Sequence, residues 1–129
     1  MTIDGDLIST VVDTEAEVVK SVKQVLIFCG LMKAKETEPG PPSMMQRINT
    51  GAFKTGSRFI KSANKGTCDF EGYDKHGRFL AIECKRPKGG RLSPEQKARI
   101  DDINRKGGVA FVATSGQQVL ETLKEKRCL

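Results

Sequence analysis

Three ionisable residues that together could perform hydrolytic chemistry lie in two neighbouring runs of strand-like sequence. Asp69 belongs to the run 67–73, and Glu83 and Lys85 belong to the run 78–85. Side chains alternate between the two faces of a strand, so Glu83 and Lys85 share one face. Two carboxylates beside a lysine can bind a divalent cation and position water or a phosphate group for hydrolysis.

The turn between the two runs determines which residues face each other. The sequence 74–77 reads as a hairpin turn in which Gly77 supplies a positive φ. If residues 74 and 78 oppose each other, Asp69 faces Glu83, with Cβ atoms about 5 Å apart. Such carboxylates repel each other when buried, and a hard divalent cation with oxygen ligands offsets that repulsion. Lys85 would then orient or activate the attacking water, or stabilise the charge that develops on phosphate.

A purely structural alternative for the same residues is an exposed Asp/Glu/Lys salt-bridge patch on an edge hairpin. The apolar residues 80–82 before Glu83 favour a buried strand, covered on both faces, over that alternative. A second Glu-x-Lys, at 95–97, lies in a predicted helix, where residues two apart point in different directions. Only the strand copy therefore predicts a site.

The first element that could complete this site is an amphipathic helix within residues 11–31. Thr14 and Glu17 have the spacing of a capping box that begins it, and Gly30 marks its end. Glu15 is in phase with the apolar stripe of this helix, whereas Glu17 falls on the opposite side. Glu15 therefore either frays outward at the helix end or reaches the site.

The remaining elements predict an α/β fold in a single domain spanning residues 1–129, with the order α-β-β-β-α-β-α. Ser93 and Pro94 begin the second helix, and Gln96 near its start could reach the site or merely face solvent. The other predicted elements are a proline-rich loop at 36–43, a short strand at 44–49, a basic loop at 51–66, a buried strand at 109–113 and a last helix at 117–126.

The charge distribution predicts a polyanionic partner. The chain of 129 residues has 22 lysines and arginines against 16 aspartates and glutamates, a net charge of +6. No acidic residue lies between Glu38 and Asp69, and a second basic cluster follows Lys85. The candidate nucleic-acid contacts are Arg47, Lys54, Arg58, Lys61, Lys65, Arg86, Lys88 and Arg91.

Composition excludes several other classes of protein. The four cysteines lack zinc-site spacing, and the one histidine, His76, lies in the predicted turn, which argues against Cys-His or Ser-His-Asp catalysis. No apolar run approaches the roughly 18 residues of a membrane span, and the acidic start is unlike a signal peptide. We therefore expect a cytoplasmic protein with reduced cysteines and no membrane partner.

Five segments together resemble the VRR-NUC (virus-type replication-repair nuclease) domain of the PD-(D/E)xK nuclease superfamily. They are GTCDF (66–70), LAIECK (80–85), LSPEQ (92–96), TEA (14–16) and RINTG (47–51). Cys68 stands where the superfamily often has proline, and Val19 stands where family members often have glutamine.

The resemblance implies a restriction-endonuclease-like core, a mixed central β-sheet flanked by helices, and a DNA endonuclease that uses Mg²⁺ or Mn²⁺. It implies Lys85 as the catalytic lysine and Gln96 as a supporting residue beside the catalytic carboxylates. The metal ligands that it implies are Glu15, Asp69, Glu83 and the backbone carbonyl of Cys84.

The resemblance also implies a substrate class, because small stand-alone members resemble phage-encoded enzymes that dimerise and cut branched DNA. A four-way Holliday junction cut by a homodimer is the specific expectation. Two alternatives stay open. The basic stretches suffice for a non-catalytic nucleic-acid-binding module, and the same site could act on other DNA or on RNA.

Overall fold

The structure, a computed structural model, describes residues 13–48, 52–55, 58–61 and 64–129. Over these residues three helices and six strands follow one another along the chain. They are α1 (Glu15–Phe28), β1 (Met45–Arg47), β2 (Ala52–Thr55), β3 (Arg58–Lys61), β4 (Phe70–Tyr73), β5 (Phe79–Cys84), α2 (Pro94–Arg105), β6 (Val109–Ala113) and α3 (Gly116–Glu125).

Four of these strands form one mixed sheet, as predicted. The strand order is β1-β4-β5-β6, in which β5 runs antiparallel to β4 and parallel to β6. The return to a parallel strand is made through α2, which is the usual way to cross over a sheet. The predicted α/β fold with a mixed central sheet is confirmed.

Helices cover both faces of this sheet, and β5 is buried between them. Leu80 and Ile82 pack on the face with α1 and α3, whereas Ala81 packs on the face with α2 and its residue Ile100. Each fully buried aliphatic side chain contributes about 1.5–3 kcal/mol. The end of β5 is therefore a rigid and largely dry place from which to present polar groups.

Local capping signals set the helix starts where the sequence predicts them. Thr14 and Glu17 form a capping box at α1, and Ser93 and Gln96 form another at α2. Ser115 caps α3 by accepting a hydrogen bond from the Gln118 N–H.

The predicted hairpin turn is also present, and it determines the β4–β5 register. Asp74 is buried and accepts hydrogen bonds from the His76 N–H, the Arg78 N–H and the Arg78 guanidinium. Burial opposes ionisation of Asp74, but these hydrogen bonds outweigh it and lower its pKa. Beyond the turn Tyr73 pairs with Phe79, which is the predicted register.

The prediction of a basic loop at 51–66 is wrong. Strands β2 and β3 pair antiparallel in a separate two-stranded sheet, with Ala52 opposite Lys61 and Thr55 opposite Arg58. Residues 52–55 (AFKT) and 58–61 (RFIK) do not alternate between apolar and polar residues, so periodicity gives no clear strand signal there, and the basic composition predicts a loop instead. The described order therefore contains two strands more than predicted.

Two further predictions concern the first strand and membrane spans. The strand predicted at 44–49 is present as β1 but is shorter, and Asn49 lies outside the described residues. In the described part of the chain no helix is both long and apolar enough to cross a membrane.

Candidate active site

Asp69 and Glu83 lie side by side at the end of the β4–β5 ladder, where two hydrogen bonds connect their segments. The Asp69 N–H donates to Glu83 Oε1 at 3.2 Å, and the Cys84 N–H donates to Asp69 Oδ2 at 2.7 Å. The Glu83 carboxylate thus accepts a hydrogen bond from the backbone of Asp69, and the Asp69 carboxylate accepts one from the residue that follows Glu83. The structure confirms that the two residues are neighbours, as the predicted register required.

Lys85 lies between Glu83 and the first helix. Its Nζ is 3.3 Å from Glu83 Oε2 and 3.9 Å from Glu15 Oε1. The Glu83 side chain is only 4% exposed, whereas that of Glu15 is 54% exposed. Helix phase therefore brings Glu15 to the edge of the site. Glu17 is instead used in the α1 capping box, where Thr14 hydrogen bonds lower its pKa.

Gln96 also reaches the site, because its two amide atoms perform different tasks. Its Oε1 accepts from the Ser93 N–H at 2.9 Å and completes the α2 capping box. Its Nε2 is then left to donate to Glu83 Oε2 at 2.8 Å. A glutamate at this position would cap the helix equally well but would repel Glu83.

The surroundings of Glu83 favour its protonated form. Burial, followed by the neighbouring Asp69 charge, raises the Glu83 pKa to about 7, and Lys85 acts in the opposite direction. An additional cation close to Glu83 would favour the ionised form. The site is thus electrostatically suited to receive positive charge.

Arg47 reaches the same site from β1. Its Nη1 lies 3.4 Å from Asp69 Oδ1 and donates to the Asp69 carbonyl at 3.3 Å. Its guanidinium carbon is 5.8 Å from the centroid of the Phe70 ring. The Arg47 side chain is 42% exposed. One of the predicted nucleic-acid contacts therefore borders the carboxylate pair.

The other predicted nucleic-acid contacts lie in different places. Lys65 pairs with Glu95 at 3.3 Å, on the first turn of α2. The exposed loop between β5 and α2 carries Arg86, Lys88 and Arg91. Three further basic residues belong to the β2–β3 strands, and their side chains lie outside the described residues: Lys54, Arg58 and Lys61.

An ion pair that the sequence did not predict lies next to the site. Glu71 and Arg99 form a bidentate pair in which both N–O distances are 2.7 Å. Two periodicities could have revealed it. Glu71 follows Asp69 by two residues on a strand, and Arg99 follows Gln96 by three residues on a helix, so each shares a face with a site residue.

The donor set suits a hard divalent cation. Asp69 and Glu83 offer carboxylate oxygens, Mg²⁺ typically takes one or two carboxylates, and Cys84 brings its backbone to the same point. Among the residues described here, no three His, Cys, Asp or Glu side chains lie close enough together to hold a metal ion. Glu15 meets Lys85 rather than the Asp69–Glu83 pair.

Thiol and imidazole nucleophiles are poorly placed for catalysis here. All four cysteines are free, and burial raises the pKa of the Cys68 thiol to about 12. His76 lies in the turn before β5, at the opposite end of that strand from Glu83. The chemistry of the site therefore depends on carboxylates, amides and cations.

Glu83→Gln should change the pH dependence of stability in the metal-free protein. The folded state favours protonated Glu83, because its pKa of about 7 exceeds the ordinary value of 4.5. As pH rises through this window, wild-type protein should therefore lose on the order of 2 kcal/mol relative to the variant. Denaturant unfolding in EDTA from about pH 5 to pH 8 measures this change, and a difference independent of pH would contradict it.

Comparison with known proteins agrees with this arrangement. The family model described as the VRR-NUC domain matches residues 12–117, which is more than half of the chain and includes every site residue named above. Neither the search of curated proteins nor the search of solved structures finds a match. On the extent of the family match, the chain belongs to the VRR-NUC nuclease domain family.

Proposed function

We propose that this protein is a divalent-metal-dependent DNA endonuclease that hydrolyses phosphodiester bonds in branched DNA. The observation that carries the proposal is the hydrogen-bonded arrangement of Asp69 and Glu83, with Lys85 beside it, at the buried end of β5. Membership of a nuclease domain family supplies the class of reaction.

In this proposal Asp69, Glu83 and the Cys84 carbonyl would hold Mg²⁺ or Mn²⁺, and Glu15, whose carboxylate contacts Lys85 in the structure, would turn toward the ion as a further ligand. When bound, the metal polarises the phosphate and lowers the pKa of a bound water. Lys85, which is 15% exposed, keeps a cation beside the reacting phosphate and stabilises the charge that grows there. Gln96 holds Glu83 in place through its 2.8 Å hydrogen bond.

The DNA backbone is proposed to approach across β1 and the loop after β5. Arg47 borders Asp69, and the exposed loop carries Arg86, Lys88 and Arg91 on the side where Lys85 leaves the strand. The first turns of α1 and α2 also border the site through Glu15 and Gln96. Helix N-termini carry partial positive charge, which favours a phosphate group.

We propose a Holliday junction as the substrate, with a homodimer as the active form and residues 1–129 as a single nuclease domain. A four-way junction has two equivalent strands to cut, and a dimer with twofold symmetry places two copies of one site against them. The basic residues alone would also suit a non-catalytic binding module. Metal-dependent cleavage separates the two functions.

Asp69→Asn should abolish metal-dependent cleavage while DNA binding persists. Removal of one carboxylate should reduce cleavage with Mg²⁺ at least about a hundredfold, because the charge that holds the metal is removed. Labelled four-way, flap and linear duplex DNA, each with Mg²⁺ or EDTA, are the substrates to compare. The four-way junction should be cut fastest, with two protomers bound per junction by sedimentation.

The matched control is Asp101→Asn, an exposed aspartate on α2 that should leave cleavage unchanged. Cleavage that persists in EDTA, or equally in Asp69→Asn, would refute the proposed metal site. Binding without any cleavage by wild-type protein would instead favour the binding-module alternative.

Glu15→Gln and Glu17→Gln test the role of the first helix. Glu15→Gln should slow metal-dependent cleavage by about tenfold or more, because it removes the helix carboxylate near Lys85. Glu17→Gln should stay within about twofold of wild type, because glutamine also completes a capping box. Single-turnover cleavage rates decide this, and the reverse ranking would remove Glu15 from the site.

Replacing Lys54, Arg58 and Lys61 together by glutamine should weaken DNA binding whatever the base sequence. The slope of log affinity against log salt should also become shallower, by about 0.9 for each phosphate that the variant no longer neutralises. The control replaces three exposed lysines of α1 and α3, Lys20, Lys23 and Lys124. An unchanged slope in the first variant would take the β2–β3 hairpin out of the DNA path.

A further inference from the structure

A partly buried ion pair, in which the Arg99 side chain is 37% exposed, connects α2 to β4 next to the carboxylate pair. Arg99 donates through Nε to Glu71 Oε2 and through Nη2 to Glu71 Oε1, each at 2.7 Å. The Glu71 side chain is only 9% exposed. Parallel donation from two guanidinium nitrogens fixes orientation as well as distance, which a single contact does not.

Glu71 also holds the backbone immediately before Asp69. The Cys68 N–H donates to Glu71 Oε2 at 2.9 Å, and the next N–H, that of Asp69, donates to Glu83 Oε1. Two carboxylates thus anchor two successive amides of the same short segment. Movement of Glu71 would release one of these two anchors and shift Asp69 with it.

Arg99 connects Glu71 to α2, the helix that also carries Gln96. It lies one helical turn after Gln96 on α2, so the two side chains leave the same face of the helix. Gln96 donates to Glu83 Oε2. The pair formed by Arg99 and Glu71 therefore sets how closely the first half of α2 approaches Glu83.

Stability alone does not account for this pair. Burial of Glu71 costs hydration free energy that offsets much of its attraction to Arg99, so such an ion pair is often no more stabilising than apolar residues of similar volume. The same helix carries an ordinary exposed pair, in which Asp102 meets Arg105 and Lys106 at its far end. Unlike these exposed contacts, the contact between Glu71 and Arg99 buries a carboxylate directly beside the site residues.

We propose that Glu71 and Arg99 act as positioning residues, forming a clamp that aligns Gln96 with Glu83 and the Asp69 carboxylate with the Cys84 N–H. The consequence for catalysis rests on the proposed nuclease function, whereas the alignment itself does not. Small displacements of such a site are costly, because catalysis requires the reacting groups to stay within a fraction of an ångström.

The first test separates positioning from stability. Arg99→Met leaves Glu71 buried without its partner and should destabilise the fold, whereas Glu71→Gln with Arg99→Met removes both charges and should recover stability. In both variants kcat for DNA cleavage should fall by about tenfold or more, with KM within about threefold of wild type. Arg99→Lys keeps the charge but not the bidentate geometry, so kcat should be intermediate.

The second test requires no catalysis or metal. Amide hydrogen exchange of metal-free protein should speed up for the Asp69 and Cys84 N–H groups in the double variant. The Lys85 N–H, which donates to the Ala113 carbonyl in the β5–β6 ladder, should be unchanged. Asp101→Asn, on the exposed side of α2, should alter neither kcat nor the exchange of these amides.

The outcomes separate the two hypotheses. Recovery of wild-type kcat together with stability in the double variant would overturn the clamp, as would unchanged exchange at Asp69 and Cys84. Wild-type protein that never cleaves DNA with a metal would refute the proposed function, and faster exchange at these amides would still support the clamp. Slow cleavage with normal KM and locally faster exchange supports both.

Discussion

The placement of two carboxyl groups side by side at the end of a buried strand is the constraint on which this structure depends. Asp69 and Glu83 repel each other when ionised, and burial adds to the cost, as the raised Glu83 pKa indicates. Backbone N–H groups, Lys85 and Arg47 offset that cost in the protein itself. The site is consequently an anionic pair within a positively charged rim, which suits a cation and a phosphate together.

The fold provides this arrangement by ending several elements at one place. Strand β5 is covered on both faces, so its last residues present polar groups from a rigid support. The first turns of α1 and α2 approach from different faces of the sheet and contribute Glu15 and Gln96. The N-termini of helices offer backbone N–H groups and the positive end of the helix dipole. Both features favour an anion in this region.

Local signals determined much of the fold. A capping box predicted the start of α1, Ser93 and Pro94 predicted that of α2, and the turn at Asp74 predicted the register that brings Asp69 opposite Glu83. These features depend on residues a few positions apart, so short-range hydrogen bonding and side-chain size decide them. Strands β2 and β3 lack a regular alternation of apolar and polar residues, so their pairing could not be predicted from a local pattern.

The sequence by itself indicated which residues would lie close to Asp69 and Glu83, but not which side chains contact each other. It identified the Asp69–Glu83 pair, because one hairpin joins the two residues, and helix phase distinguished Glu15 from Glu17. Only the tertiary structure decided that Glu15 meets Lys85, that Gln96 donates to Glu83, and that Arg47 faces Asp69. The Glu71–Arg99 pair belongs to the same class. Such contacts join elements far apart in the chain, and their distances depend on how the helices pack against the sheet.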